Sequence, residues 1–211
     1  LAWKGEGGVM ALFVSNLASA GVQVIVFALL PLAWWLIFHR QKVGFFQWLG
    51  LKGVPRDKVR DCVRWSVAVM VLSAPLPILI FRVLRGVPSA TSQFAGLGLG
   101  ALPGALVFAF LQTGLSEEIL FRGFLLKRLA VRFGFGAGNM VQSVIFGAIH
   151  GLGFFTSVGW FWALLITLFT GISVWFMGYI NEKKADGSIL PSWIMHGVSN
   201  VLSSLMSMVF F

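Results

Sequence analysis

Six polar side chains lie inside apolar runs of this sequence and make a chemistry when read together. Glu117 and Glu118 are adjacent in Gly114-Leu115-Ser116-Glu117-Glu118-Ile119-Leu120-Phe121-Arg122-Gly123, within an apolar run from Leu102 to Leu126. Arg122 follows Glu118 by four residues, one helical turn, so the two can pair; Glu117 is turned about 100° away. His150 closes Phe146-Gly147-Ala148-Ile149-His150, and His196 is followed four residues later by Asn200. Hydrocarbon cannot solvate charge, so an acidic pair in such a run is read first as a functional site. One carboxylate with two imidazoles and an amide suits activation of water and stabilisation of an oxyanion, the chemistry of acyl or peptide hydrolysis. The expectation is no cofactor. The alternative is Zn2+ held by Glu117, His150 and His196 with one position open, although no His-Glu-x-x-His points to that metal.

Each residue also has a purely structural explanation. The acidic pair could be an ion pair at a helix end, either histidine a satisfied buried residue, Phe146 packing, and Asn200 a bridge between helices. Depth argues for the site. Glu117 lies ten residues before Lys127, His150 eleven after Asn139, and His196 ten after Asp186. Each offset is roughly 15 Å at helical rise, about half of a ~30 Å hydrocarbon layer. Three separate spans therefore carry these groups to one depth, which predicts a polar chamber near mid-bilayer.

The elements that must hold them are membrane helices. The chain has 211 residues, is 58% hydrophobic and 11% charged, and has a mean hydropathy of +0.89. This excludes a soluble domain and predicts an all-α, polytopic transmembrane helix bundle forming one integral membrane domain. Six apolar runs read as spans: Val9–Phe38, Cys62–Leu84, Leu102–Leu126, Asn139–Phe155, Trp160–Ile180 and Ile189–Phe211. Pro31 should kink the first and Pro75 and Pro77 the second. Gly134, Gly136 and Gly138 mark the hinge between the third and fourth, and Gly147, Gly151, Gly171 and Gly197 are small residues for close helix approach. The lone Cys62 excludes an intrachain disulfide. The chain opens on Leu1, which fits a longer native N-terminus, and no cleavable signal peptide is apparent.

Charge sets orientation. Arg40, Lys42, Lys52, Arg56, Lys58, Arg60 and Arg64 fall between spans one and two. Arg122, Lys127, Arg128 and Arg132 go with the connection between three and four, and Lys183 and Lys184 with that between five and six. Only Lys4, Arg82 and Arg85 fall on the opposite side. The richer side is read as cytoplasmic, and the chamber should open toward it. The net charge of +9 then reflects loops facing anionic lipid, not nucleic acid. The segment Val43–Leu51 is apolar but too short to cross, so it should lie in the interface with Trp48 at headgroup level.

Glu117-Glu118-x-x-x-Arg122, Phe146-x-x-x-His150 and His196-x-x-x-Asn200, in that order and each in a span, resemble the three motifs of the CPBP family. These are the CAAX prenyl protease and bacteriocin-processing (Abi) intramembrane endopeptidases. The resemblance covers about Leu102 to Phe211. It implies a four-helix catalytic core at 101–211, with 1–100 supplying N-terminal spans and a basic interfacial loop. It implies that Glu117 with His150 activates water, that His196 and Asn200 hold the oxyanion, and that Glu118 and Arg122 support the site. Six spans are fewer than the roughly eight of the prenyl proteases, so a membrane-associated peptide of pheromone, leader or sorting-tail type is expected over a prenylated CAAX protein. The implied setting is a bacterial cell membrane, with lipid and a peptide or protein substrate as partners. The alternatives are a non-catalytic scaffold or immunity protein that keeps the motifs, or a small proton-coupled transporter.

Overall fold

The computed structural model describes residues 6–83 and 86–210. Lys4 and Arg85 of the charge comparison, and the span ends Leu84 and Phe211, lie outside the described residues. Among the described residues there is no strand. Helix α1 is Glu6–Phe38 and continues through Pro31. A short α2, Phe45–Leu49, follows. The second apolar run divides into α3, Val59–Ser73, and α4, Pro75–Val83, at the prolines that remove backbone donors. Then come α5, Leu99–Phe133, α6, Phe135–Tyr179, and α7, Leu190–Phe210.

Among the described residues five helical stretches, with α3 and α4 counted as one over Val59–Ile80, are long and apolar enough to cross a bilayer, and the fourth of them runs for 50 residues, Phe135–Lys184. About 20 residues suffice for one crossing. Gly159, at φ 76° and ψ 172°, interrupts it with a conformation that only glycine adopts readily. The two limbs fold back on each other: Gly147 meets Thr167 and Gly171, and Gly151 meets Thr167 and Ala163, with no room for a Cβ at either glycine. α6 is therefore an antiparallel hairpin, and five helices make the six expected traverses. Its start is as abrupt, since Gly134 alone, at φ 83°, separates α5 from α6.

The chain forms two compact units, each drawing on both sequence halves. The first comprises residues 1–41, 88–120 and 193–211. Its core is Leu12, Phe94, Ala101, Ala105, Phe108, Ala109 and Met208. Small residues along α5 let α1 approach closely, and Asn16 of α1 donates to the Gly104 carbonyl at 3.4 Å.

The second unit comprises residues 42–87 and 121–192. In this unit Trp48 is buried: it packs on Phe124 at 6.1 Å and carries the Arg128 guanidinium 4.6 Å over its ring. A polar clasp joins this unit's loops. Lys52 and Lys58 reach Asp186 at 3.3 and 3.2 Å. Lys127 bonds Glu182 and the Gly187 carbonyl, both at 2.8 Å. Ile189 N–H donates to the Gly50 carbonyl. Buried Asn181 caps the start of α7 through Ser192.

Candidate active site

The acidic pair sits on an irregular helix. Within α5 the stretches Val107–Leu115 and Ile119–Leu126 are wide π-helical turns, and only Ser116–Glu118 between them is α-helical. Such turns cost regular hydrogen bonding and recur at functional positions. Thr113 Oγ1 donates five residues back to the Phe108 carbonyl, satisfying an acceptor of the wide turn. The fully buried Ser116 hydroxyl donates to the Gln112 and Thr113 carbonyls and accepts from Gln23 Nε2 of α1 at 3.1 Å.

The first unit brings Glu117, Glu118, His196 and Asn200 together on α5 and α7. Glu118 is fully buried, and its Oε1 lies 3.1 Å from His196 Nδ1. A carboxylate only accepts, so the bond fixes the ring proton on Nδ1. That turns Nε2 toward Glu117, whose Oε2 is 3.8 Å away. This Oε2 is buried and has no hydrogen-bond partner among the described residues. Asn200 Nδ2 donates to Thr113 Oγ1 at 2.7 Å, which spends one of its two hydrogens. Trp193 Nε1 ties α7 to the Phe110 carbonyl at 2.6 Å, and Gly197 lets the Phe110 ring lie where a Cβ would stand.

The second unit holds Arg122, Phe146 and His150. Arg122 is fully buried. Its guanidinium stacks 4.5 Å over the Phe146 ring and one nitrogen lies 3.8 Å from Met177 Sδ. Phe146 also meets Phe121, edge-on at 4.8 Å, and His150, stacked at 4.5 Å. His150 Nδ1 sits 2.9 Å from the Phe146 carbonyl, which can only accept. Nδ1 thus carries the proton, and Nε2 is the ring atom left for other partners.

Sequence reasoning missed Gln23, Thr113, Ser116 and Trp193. The signal was present in one case: Gln23 is the lone amide in the apolar stretch Ala20–Phe38. Among the described residues no group of three or more His, Cys, Asp or Glu side chains is gathered so as to hold a metal ion.

Residues 99–202 match the family model described as type II CAAX prenyl endopeptidase, Rce1-like. The matched segment belongs to the CPBP family. It contains Glu117, Glu118, Arg122, Phe146, His150, His196 and Asn200, and leaves α1 to α4 outside. The match, together with the apolar helices, supports an integral membrane protein of CAAX-protease type. No curated protein and no solved structure matches the chain.

Proposed function

We propose that this chain is an intramembrane endopeptidase that hydrolyses a peptide bond of a membrane-associated peptide or protein, with Glu117 as the base that activates water. The observation that supports this best is the buried Oε2 of Glu117, without a hydrogen-bond partner among the described residues, facing His196 Nε2 at 3.8 Å. That gap exceeds direct hydrogen-bond reach but is short enough for one oxygen atom to bond both groups.

In the reaction, water adds its oxygen to the scissile carbonyl and gives its proton to Glu117. The negative charge on the former carbonyl oxygen is met by the hydrogen of Asn200 that Thr113 leaves unused, and by His196 when Nε2 is protonated. Collapse breaks the C–N bond, and the leaving amine takes the proton from Glu117. Glu118 holds the His196 ring in place. His150 is given a share in activating the water here on the motif resemblance alone.

The test is cleavage by the full chain in lipid nanodiscs of two fluorogenic peptides, one S-farnesylated with a CAAX terminus and one unprenylated hydrophobic leader. Glu117→Gln is expected to lower kcat by about 10²-fold or more, and His150→Ala and His196→Ala should each lower it as well. Faster cleavage of the leader supports the unprenylated substrate class; faster cleavage of the farnesylated peptide assigns the CAAX class. Undiminished cleavage by Glu117→Gln overturns the mechanism. Activity lost to a chelator and restored by Zn2+ replaces it with the metal-dependent one.

A further inference from the structure

We infer that Gln23, on α1 and outside the matched CPBP segment, is a positioning residue for Glu117. The inference rests on the reading of Glu117 as the base. α1 is mostly a lipid-facing helix: Val22, Ile25 and Val26 around Gln23 are all more than half exposed. Gln23 points the other way and donates from Nε2 to Ser116 Oγ at 3.1 Å. In hydrocarbon a carboxamide without a partner is costly, so this bond is strongly retained.

Its location gives it leverage. Ser116 opens the single α-helical turn between the two π-helical stretches of α5. Wide turns of this kind can shift along a helix, because the carbonyl left out of the ladder can move by one residue. Such a shift would swing the Glu117 side chain by about 100°. The Ser116 hydroxyl is occupied on both sides, donating to the Gln112 and Thr113 carbonyls and accepting from Gln23. Gln23 therefore pins the place where the wide turn ends, one residue before Glu117. Asn16 lies seven residues earlier on the same face of α1 and is bonded at Gly104, far along α5 from the acidic pair. It seats α1 without touching the turn that carries Glu117, and so serves as a control.

The experiment uses the full chain in nanodiscs and the same two fluorogenic peptides. Gln23→Leu is expected to lower kcat about tenfold while KM stays within about twofold. Ser116→Ala should cause a similar loss, and Gln23→Leu should add nothing further in that background, since it acts only through Ser116. Asn16→Leu should lower the unfolding temperature and leave kcat unchanged. An unchanged kcat for Gln23→Leu, additive losses, or an equal kcat loss for Asn16→Leu would each overturn the inference. A second readout does not depend on turnover: the rate at which dicyclohexylcarbodiimide labels Glu117, followed by mass spectrometry. That rate should change by about threefold or more in Gln23→Leu and Ser116→Ala and not in Asn16→Leu. If Glu117→Gln still cleaves, the mechanism falls, and the labelling rate alone decides whether Gln23 positions the carboxylate.

Discussion

Glu118 Oε1 accepts the Nδ1 proton of His196 at 3.1 Å, so the second carboxylate of the pair fixes the imidazole that faces the first. The two acidic residues thereby share one histidine while differing in what they do. In the proposed mechanism Glu118 orients, and Glu117 presents the oxygen that has no hydrogen-bond partner among the described residues. Glu118→Gln keeps an oxygen at that position but removes its charge, and should lower kcat about tenfold with little change in KM. Glu118→Leu removes the acceptor of the Nδ1 proton altogether and should cost about 10²-fold. Steady-state kinetics on the cleaved peptide measures both. A Glu118→Leu variant with full kcat would remove this orienting role.

Asn200 is held by Thr113 at 2.7 Å, and only its second amide hydrogen remains for substrate. Asn200→Ala should lose about 10²-fold in kcat as an oxyanion donor. Thr113→Val keeps the shape but frees the amide to rotate, and should lose about tenfold. Equal losses for the two would mean that Thr113 acts independently of Asn200.

Phe146 lies between the guanidinium of Arg122 and the ring of His150. Phe146→Leu forfeits both stacking contacts and should destabilise the protein by about 1–3 kcal/mol, read as a lower unfolding temperature in detergent. Phe146→Tyr retains the ring face and should be closer to wild type. If both behave alike, the cation stacking has no measurable weight.

The clasp at Asp186 gives a pH dependence outside the membrane. Hydrogen bonds from Lys58 and then Lys52, followed by their charges, hold the Asp186 carboxyl below the usual carboxylate range. A depressed folded-state value means that the contribution is fully present above the unfolded value of about 3.9 and is lost as pH falls through the folded one. Between pH 5 and 8 the clasp should therefore be constant. Hydrogen exchange of residues 185–189 should rise only below about pH 4, or in about 1 M salt, because the pair is exposed and readily screened. In Asp186→Asn the acid-dependent rise should be absent. A wild-type rise between pH 5 and 7 would contradict this assignment.

What the sequence determined by itself was what depends on local chemistry repeated along the chain. Hydropathy placed six crossings, and the 50-residue stretch Phe135–Lys184 that contains α6 agrees with this once Gly159 is read as a reversal within it. Pro75 marked the break between α3 and α4, whereas Pro77 lies within α4, and the order of the polar motifs led to the CPBP family. Their roles could be narrowed from residue type, because few side chains move protons inside hydrocarbon.

The tertiary structure decided what depends on neighbours distant in sequence. Helical spacing offers Arg122 to Glu118, but only packing brings His196, 78 residues away, to within 3.1 Å of it. Nothing in a period of 3.6 residues announces the π-helical turns on either side of Ser116–Glu118, since those arise where side chains and neighbouring helices take over the carbonyls that a regular ladder would use. The partner of Gln23 is Ser116, 93 residues further on, and no local pattern encodes a bond of that kind. Trp48 is buried against Phe124 and Arg128, partners 76 and 80 residues further along the chain. Polar side chains in an apolar run mark where a site can be; which of them meet is settled by helix packing, because each needs a partner that the lipid cannot supply.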